Sequence, residues 1–114
     1  MSQQETHIGK LKLVPKLENE TSEEQCKRLC NNAELESYHE DYLDYLKDEY
    51  YNTYIVYNDD IYEIIEDDEN NGYYDIFNAY NNSDGSISYV LSYYNGGCGF
   101  SDAIGYALED MGDK

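Results

Sequence analysis

Tryptophan is absent from the 114 residues, proline occurs once, at Pro15, and cysteine three times. Cations are scarcer still for a chain of this size, with 7 Lys and Arg against 25 Asp and Glu and a net charge of -18. A surface so poor in positive charge repels nucleic acid and anionic membrane alike, and suits a basic partner. No apolar run approaches the ~20 residues that span a bilayer. The opening MSQQETHIGK has no cationic stretch followed by an apolar one, so no signal peptide is expected. Three cysteines, an odd count, then fit reduced thiols in a cytoplasm. The length excludes two independently packed cores.

What the chain has in quantity is tyrosine, 15 residues of it. With aliphatic residues thin, Tyr rings must build much of the core. Charge divides the chain unevenly. Residues 1–30 hold five acids and five bases, whereas residues 31–114 hold twenty acids against Lys47 and Lys114 alone. This division predicts a neutral N-terminal arm or strand over residues 1–20 and a single acidic domain over 21–114. Residues 1–7 are expected to be loose. If a dimer forms, the neutral segment Ile8 to Leu17 or the Tyr-rich sheet should mediate it.

Periodicity predicts an α+β fold, an antiparallel sheet of three to five strands with two helices in the N-terminal half and one at the C-terminus. Thr21-Ser22-Glu23-Glu24 is a helix start, with a hydroxyl at the cap and acids in the first turn. The spacing of Leu35, Tyr38, Tyr42, Tyr45, Leu46 and Tyr50 predicts a second helix from Ala33 to about Tyr51. Strands follow at Thr53 to Tyr57 and Ile61 to Glu66, joined by an Asn58-Asp59 turn. Two more, Tyr73 to Tyr80 and Ser86 to Tyr94, flank the hairpin signal Asn81 to Gly85. In the last strand Ile87, Tyr89, Leu91 and Tyr93 alternate with serines, predicting an apolar and a small polar face. Phe100 to Met111 reads as a closing helix.

Catalytic and ligand-binding patterns fail one by one. Carboxylate pairs are too common to mark a cleft. Cys98 follows two glycines and precedes a helix, but its acidic surroundings oppose a thiolate. Asn82 to Gly85 resembles the middle of a calcium loop, yet Tyr80 and Leu91 fall where carboxylates are required. Gly96-Gly97-Cys98-Gly99 has no cation to meet a phosphate. Cys26 and Cys30 lack two further soft ligands, and His7 and His39 stand far apart in sequence. The expectation is a non-enzyme with no metal and no cofactor.

The acids themselves carry the pattern. On the expected second helix Glu36, Glu40, Asp44 and Asp48 recur every four residues, with Asp41 beside them. A four-residue step rises about 6 Å, near the spacing of phosphates along one nucleic-acid strand. Glu66, Asp67, Asp68 and Glu69 form a second patch. In size, charge and composition, residues 31–114 resemble the acidic DNA-mimic inhibitors of phages and mobile elements, of the anti-CRISPR and anti-restriction type. These inhibitors share no single fold and no motif. The resemblance implies a protein of the host cytoplasm that fills the basic groove of a CRISPR effector nuclease. Alternatives are a restriction enzyme or DNA-repair glycosylase blocked by the same mimicry, and a non-mimic acidic adaptor on a basic host protein. The expected partner is a basic nucleic-acid-binding protein, or for the adaptor a basic host protein, with no direct contact with nucleic acid or membrane, and the protein is expected to be a monomer or homodimer.

Overall fold

A computed structural model describes residues 6–31, 34–68, 72–93 and 96–112. Its elements in chain order are β1 (Thr6–Leu13), α1 (Ser22–Leu29), α2 (Tyr42–Glu49), β2 (Tyr54–Tyr57), β3 (Asp60–Asp67), β4 (Ile76–Asn81), β5 (Ile87–Ser92) and α3 (Phe100–Gly112). The strands form one five-stranded sheet in the order β2-β3-β1-β5-β4, so the fold is α+β as the periodicity predicts. The ladders of β1 with β5, β2 with β3 and β4 with β5 are antiparallel.

Local chemistry accounts for the turns. Asn58 and Asp59 both adopt the left-handed conformation, with φ of 52° and 64°. Two such residues make the tight turn that matches strand twist, and Asn and Asp tolerate it best after glycine. The Asn82–Gly85 turn closes through Asn82 N–H to the Ser86 carbonyl at 2.8 Å, with Gly85 at φ 90°. At α1 the expected cap is present in full: Thr21 Oγ1 accepts from Glu24 N–H, and the Glu24 carboxylate accepts from Thr21 N–H.

Two expectations need correction. The second helix is far shorter than Ala33 to Tyr51; α2 has eight residues and starts only after Asp41. Asp41 is extended, and its side chain accepts from Asp44 N–H at 2.8 Å, the posture of an N-cap. Upstream, Glu36 and Glu40 repel at i,i+4 spacing with no cation to offset them, so nothing extends the helix backwards. Residues 6 and 7 are not loose but belong to β1, which lies in the middle of the sheet order. Ser86 just before β5, and Ser88 and Ser92 within it, are all buried. Asn82 Nδ2 donates to Ser86 Oγ at 3.0 Å and to Ser88 Oγ at 2.8 Å, which satisfies the hydroxyls there.

The chain divides into two compact units, residues 13–63 and residues 1–12 with 64–114. In the first, Cys26, Cys30, Tyr45, Leu46 and Ile61 form the core, packed around by Leu29, Leu35, Tyr50 and Tyr54. Both thiols thus serve as small apolar groups under α1. In the second, α3 buries Ala103, Ile104, Ala107 and Leu108, and Leu11, Tyr74, Tyr89 and Leu91 are buried with them. Strand alternation puts His7, Gly9 and Leu11 opposite Leu91, Tyr89 and Ile87 on one face of the sheet. Ile8 and Lys10 stand on the other, opposite Val90 and Ser88.

Gly9 is where this packing is tightest. A Cβ there would overlap the Tyr89 hydroxyl and the Glu66 carbonyl oxygen, and that backbone oxygen is held in the neighbouring strand. Gly9→Ala should therefore act as overpacking, with a loss of about 2–3 kcal/mol in urea unfolding. A loss below about 0.5 kcal/mol would show that Tyr89 can move aside.

Candidate functional site

The sequence-predicted acids fall into two groups, one in each unit. In residues 13–63, α2 carries Asp44 and Asp48 four apart on one face, while Glu36 and Glu40 lie on the irregular segment before it. Asp41 caps the helix, and Asp44 accepts weakly from Glu40 N–H at 3.4 Å. Glu36, Glu40, Asp41 and Asp48 are exposed, whereas Asp44 is half-buried. The structure brings Asp44 and Asp48 together but does not align four carboxylates along a helix. A regular phosphate-like ladder is thus replaced by Glu40, Asp41 and Asp44 at the N-terminal turn of α2, with Asp48 in its last turn.

In the other unit the second patch lies at the C-terminal end of β3, and much of it is engaged. Glu66 pairs with Lys10 at 3.6 Å, both largely exposed. Asp67 is hydrogen-bonded to His7 Nε2, and Asp68 accepts from Ile8 N–H at 3.0 Å with its other oxygen 3.7 Å from the same imidazole nitrogen. Glu69 lies outside the described residues. Beside these acids runs an open groove of about 730 Å³, lined by Ile8, Lys10, Ile65, Tyr80 and Ser88 along with Glu66, Asp67 and Asp68. Ile8, Ile65 and Tyr80 are 52%, 44% and 52% exposed, an amount of apolar surface that a folded monomer does not need to show.

Both histidines, set aside in the sequence as too isolated to be ligands, have carboxylate neighbours in the fold. His7 is buried, with Nδ1 hydrogen-bonded to the Tyr74 hydroxyl at 2.9 Å and its ring stacked on Phe100 at 4.5 Å between centroids. Its signal was present in the alternation of β1, where His7, Gly9 and Leu11 share the buried face. Burial, followed by the Asp67 and Asp68 charges, pushes the nearby Tyr89 phenol well up from its usual range. His39 has a fully buried side chain, tilted against Tyr38 at 4.2 Å and edge-on to Tyr45 at 5.1 Å. Asp48 lies 3.2 Å and Glu49 4.0 Å from its Nε2, but neither ring nitrogen makes a hydrogen bond. Nothing in the sequence spacing announces this cluster, because a turn rather than a helix brings His39 back over α2: His39 N–H donates to the Glu36 carbonyl at 3.0 Å.

The titrating groups offer little to covalent chemistry. Burial pushes the Cys26 thiol up to about 12, with Cys30 adding to it. Burial raises Cys30 as well, and burial and then Asp102 raise Cys98. A thiol so shifted is a weak nucleophile at neutral pH. The Glu49 carboxylate accepts from the Tyr38 hydroxyl at 2.5 Å and holds that phenol up to about 12, so Tyr38 stays protonated as a donor. Arg28, bonded to Glu20 through Nε at 2.8 Å and Nη2 at 3.0 Å, holds that carboxylate down to about 2. Among the described residues no helix is long and apolar enough to cross a membrane. No protein-family model matches the chain, and no curated protein or solved structure is significantly similar to it.

Proposed function

We propose that the protein is a non-enzymatic inhibitor of the anti-defence kind, acting in the host cytoplasm by filling the basic nucleic-acid groove of a nuclease. A CRISPR effector is the first target and a restriction enzyme or DNA-repair glycosylase the second. The observation that carries the reading is the charge: Lys47 is the one Lys or Arg between residues 31 and 113, and exposed carboxylates stand around α2 and at Asp60 and Glu63 of β3. A basic groove gains from such a surface what it gains from phosphates, namely fast, electrostatically steered encounter. Carboxylates on a folded protein offer the charge without a bond the nuclease can cut. Exposed Tyr38, Tyr51, Tyr73 and Tyr80 add rings of the kind that anchor interfaces.

The groove beside β3 favours a second reading, an acidic adaptor without mimicry. Asp67 and Asp68 are bonded to His7 and Ile8, so that edge presents aliphatic surface as much as charge. Both readings expect salt sensitivity, and competition separates them. With the target effector immobilised, the target's own guide and DNA should displace a mimic, and the apparent Kd should rise in proportion to nucleic-acid concentration. An unchanged Kd on the preformed nucleoprotein complex would reject mimicry in favour of the adaptor.

A further inference from the structure

We infer that His39, Asp44 and Asp48 form a binding site for a divalent transition-metal ion of the zinc class. One nitrogen and two carboxylate oxygens, all within 4.8 Å of one another, can be donated to one point from this cluster. Clustered acids alone would not make a site. The independent observation is His39 itself, whose side chain is fully buried and whose two ring nitrogens both lack a hydrogen bond. A buried imidazole in that condition is rare, since buried polar atoms almost always find a partner. Its Nε2 faces the carboxylates of α2 rather than a donor or acceptor in line with it.

Metal geometry fits the gap. Donors bound at about 2.0–2.2 Å to a tetrahedral ion stand roughly 3.3–3.6 Å from one another. His39 Nε2 and the Asp48 carboxylate are 3.2 Å apart, close to that edge length. Asp44 lies one helical turn before Asp48, so its carboxylate reaches the same side of α2. A divalent ion would also relieve the repulsion between those acids and the nearby Glu49, which no Lys or Arg offsets in the described structure around them beyond Lys47 on the same helix. Three protein ligands leave a further position for water, and Asp48, 56% exposed, gives the ion an entry path. A nitrogen ligand disfavours Mg²⁺ and Ca²⁺, which take oxygen donors.

The other histidine provides the contrast. His7 also lies with two carboxylates, Asp67 and Asp68. Both of its ring nitrogens are already bonded, to Tyr74 and Asp67, so an ion there would have to break those contacts. The site at His39 asks for no such exchange and stands whichever partner the acidic surface meets.

With only two histidines in the chain, imidazole NMR resolves the two clusters. Titrating the full-length protein with ZnCl₂ should shift the His39 ring resonances, leave those of His7 in place and raise the melting temperature. MgCl₂ at the same concentration should do neither. Asp48→Asn, isosteric and on an exposed side chain, should keep the native circular dichroism spectrum and weaken Zn²⁺ binding at least tenfold by calorimetry. Asp68→Asn should bind Zn²⁺ as the parent does. Unmoved His39 resonances at saturating Zn²⁺, or equal affinity in Asp48→Asn, would overturn the assignment.

Discussion

Replacing Glu34, Glu36 and Glu40 by Lys should slow association with the target nuclease about a hundredfold to a thousandfold at low salt, with the fold intact. Steered encounters run two to three orders of magnitude faster than neutral ones, and three reversals on one segment remove the local field that steers. The net charge changes by two at each position, from -18 to -12. All three side chains are exposed, so each replacement should alter stability by no more than about 0.5 kcal/mol. Asp41 and Asp44 are left alone because one caps α2 and the other is half-buried over its first turn. A matched variant with Asp102, Glu109 and Asp110 changed to Lys reaches the same net charge on α3. It should slow association less if the acids around α2 form the contact, because charges at the contact act on the partner at the shortest range. Equal losses in the two variants would assign the effect to total charge, and no loss in either would end the mimic reading. Raising the salt should compress the difference between the first variant and the parent, chiefly in the association rate.

The distance between sequence and structure shows where local chemistry suffices. Thr21 with Glu24, Asn58-Asp59 and Asn82 to Gly85 each fix their turn through contacts within four residues, and each was legible as a motif. The helical spacing of Phe100 to Met111 was legible for the same reason, since one periodic face meets one core. The stretch 34–49 misled because its aromatic spacing favours a helix throughout, while Asp41 competes as an N-cap and wins. Side-chain clusters lay further from view. His7 meets Asp67 and Tyr74 across 60 and 67 residues, a pairing decided by which strands become neighbours. His39 meets Asp48 through an irregular turn that no period encodes. The acidic surface itself needed no structure at all, because composition determines it, but its arrangement did. Glu66, Asp67 and Asp68 of the second patch proved to be tied to Lys10, His7 and Ile8 of β1, which moves the weight of the proposed interface toward the exposed acids around α2 and the groove beside Ile8.

His7→Phe should cost about 3 kcal/mol, a large share of the roughly 5–15 kcal/mol that holds a domain of this size together. Phenylalanine keeps the ring and its stacking on Phe100, so the loss isolates the polar contacts rather than a cavity. Two groups are left without their imidazole partner. The Tyr74 hydroxyl loses its 2.9 Å bond in a fully buried position, and Asp67 loses the Nε2 contact. Losing the neutral hydrogen bond costs about 0.5–1.5 kcal/mol, and losing the one to the carboxylate about 1.5–3 kcal/mol. Asp67 keeps a fifth of its side chain exposed, so water recovers part of its share, which places the sum near the middle of the range. Asp67→Ala should cost less than His7→Phe, since the Tyr74 bond to His7 survives it. The double variant should fall short of the sum of the two by about 0.5–3 kcal/mol, the coupling expected of groups in direct contact. Urea unfolding at pH 7.5, with the m-value unchanged, measures all three. Strict additivity would mean that His7 and Asp67 stabilise the sheet independently, and the polar role of His7 would then rest on its bond to Tyr74.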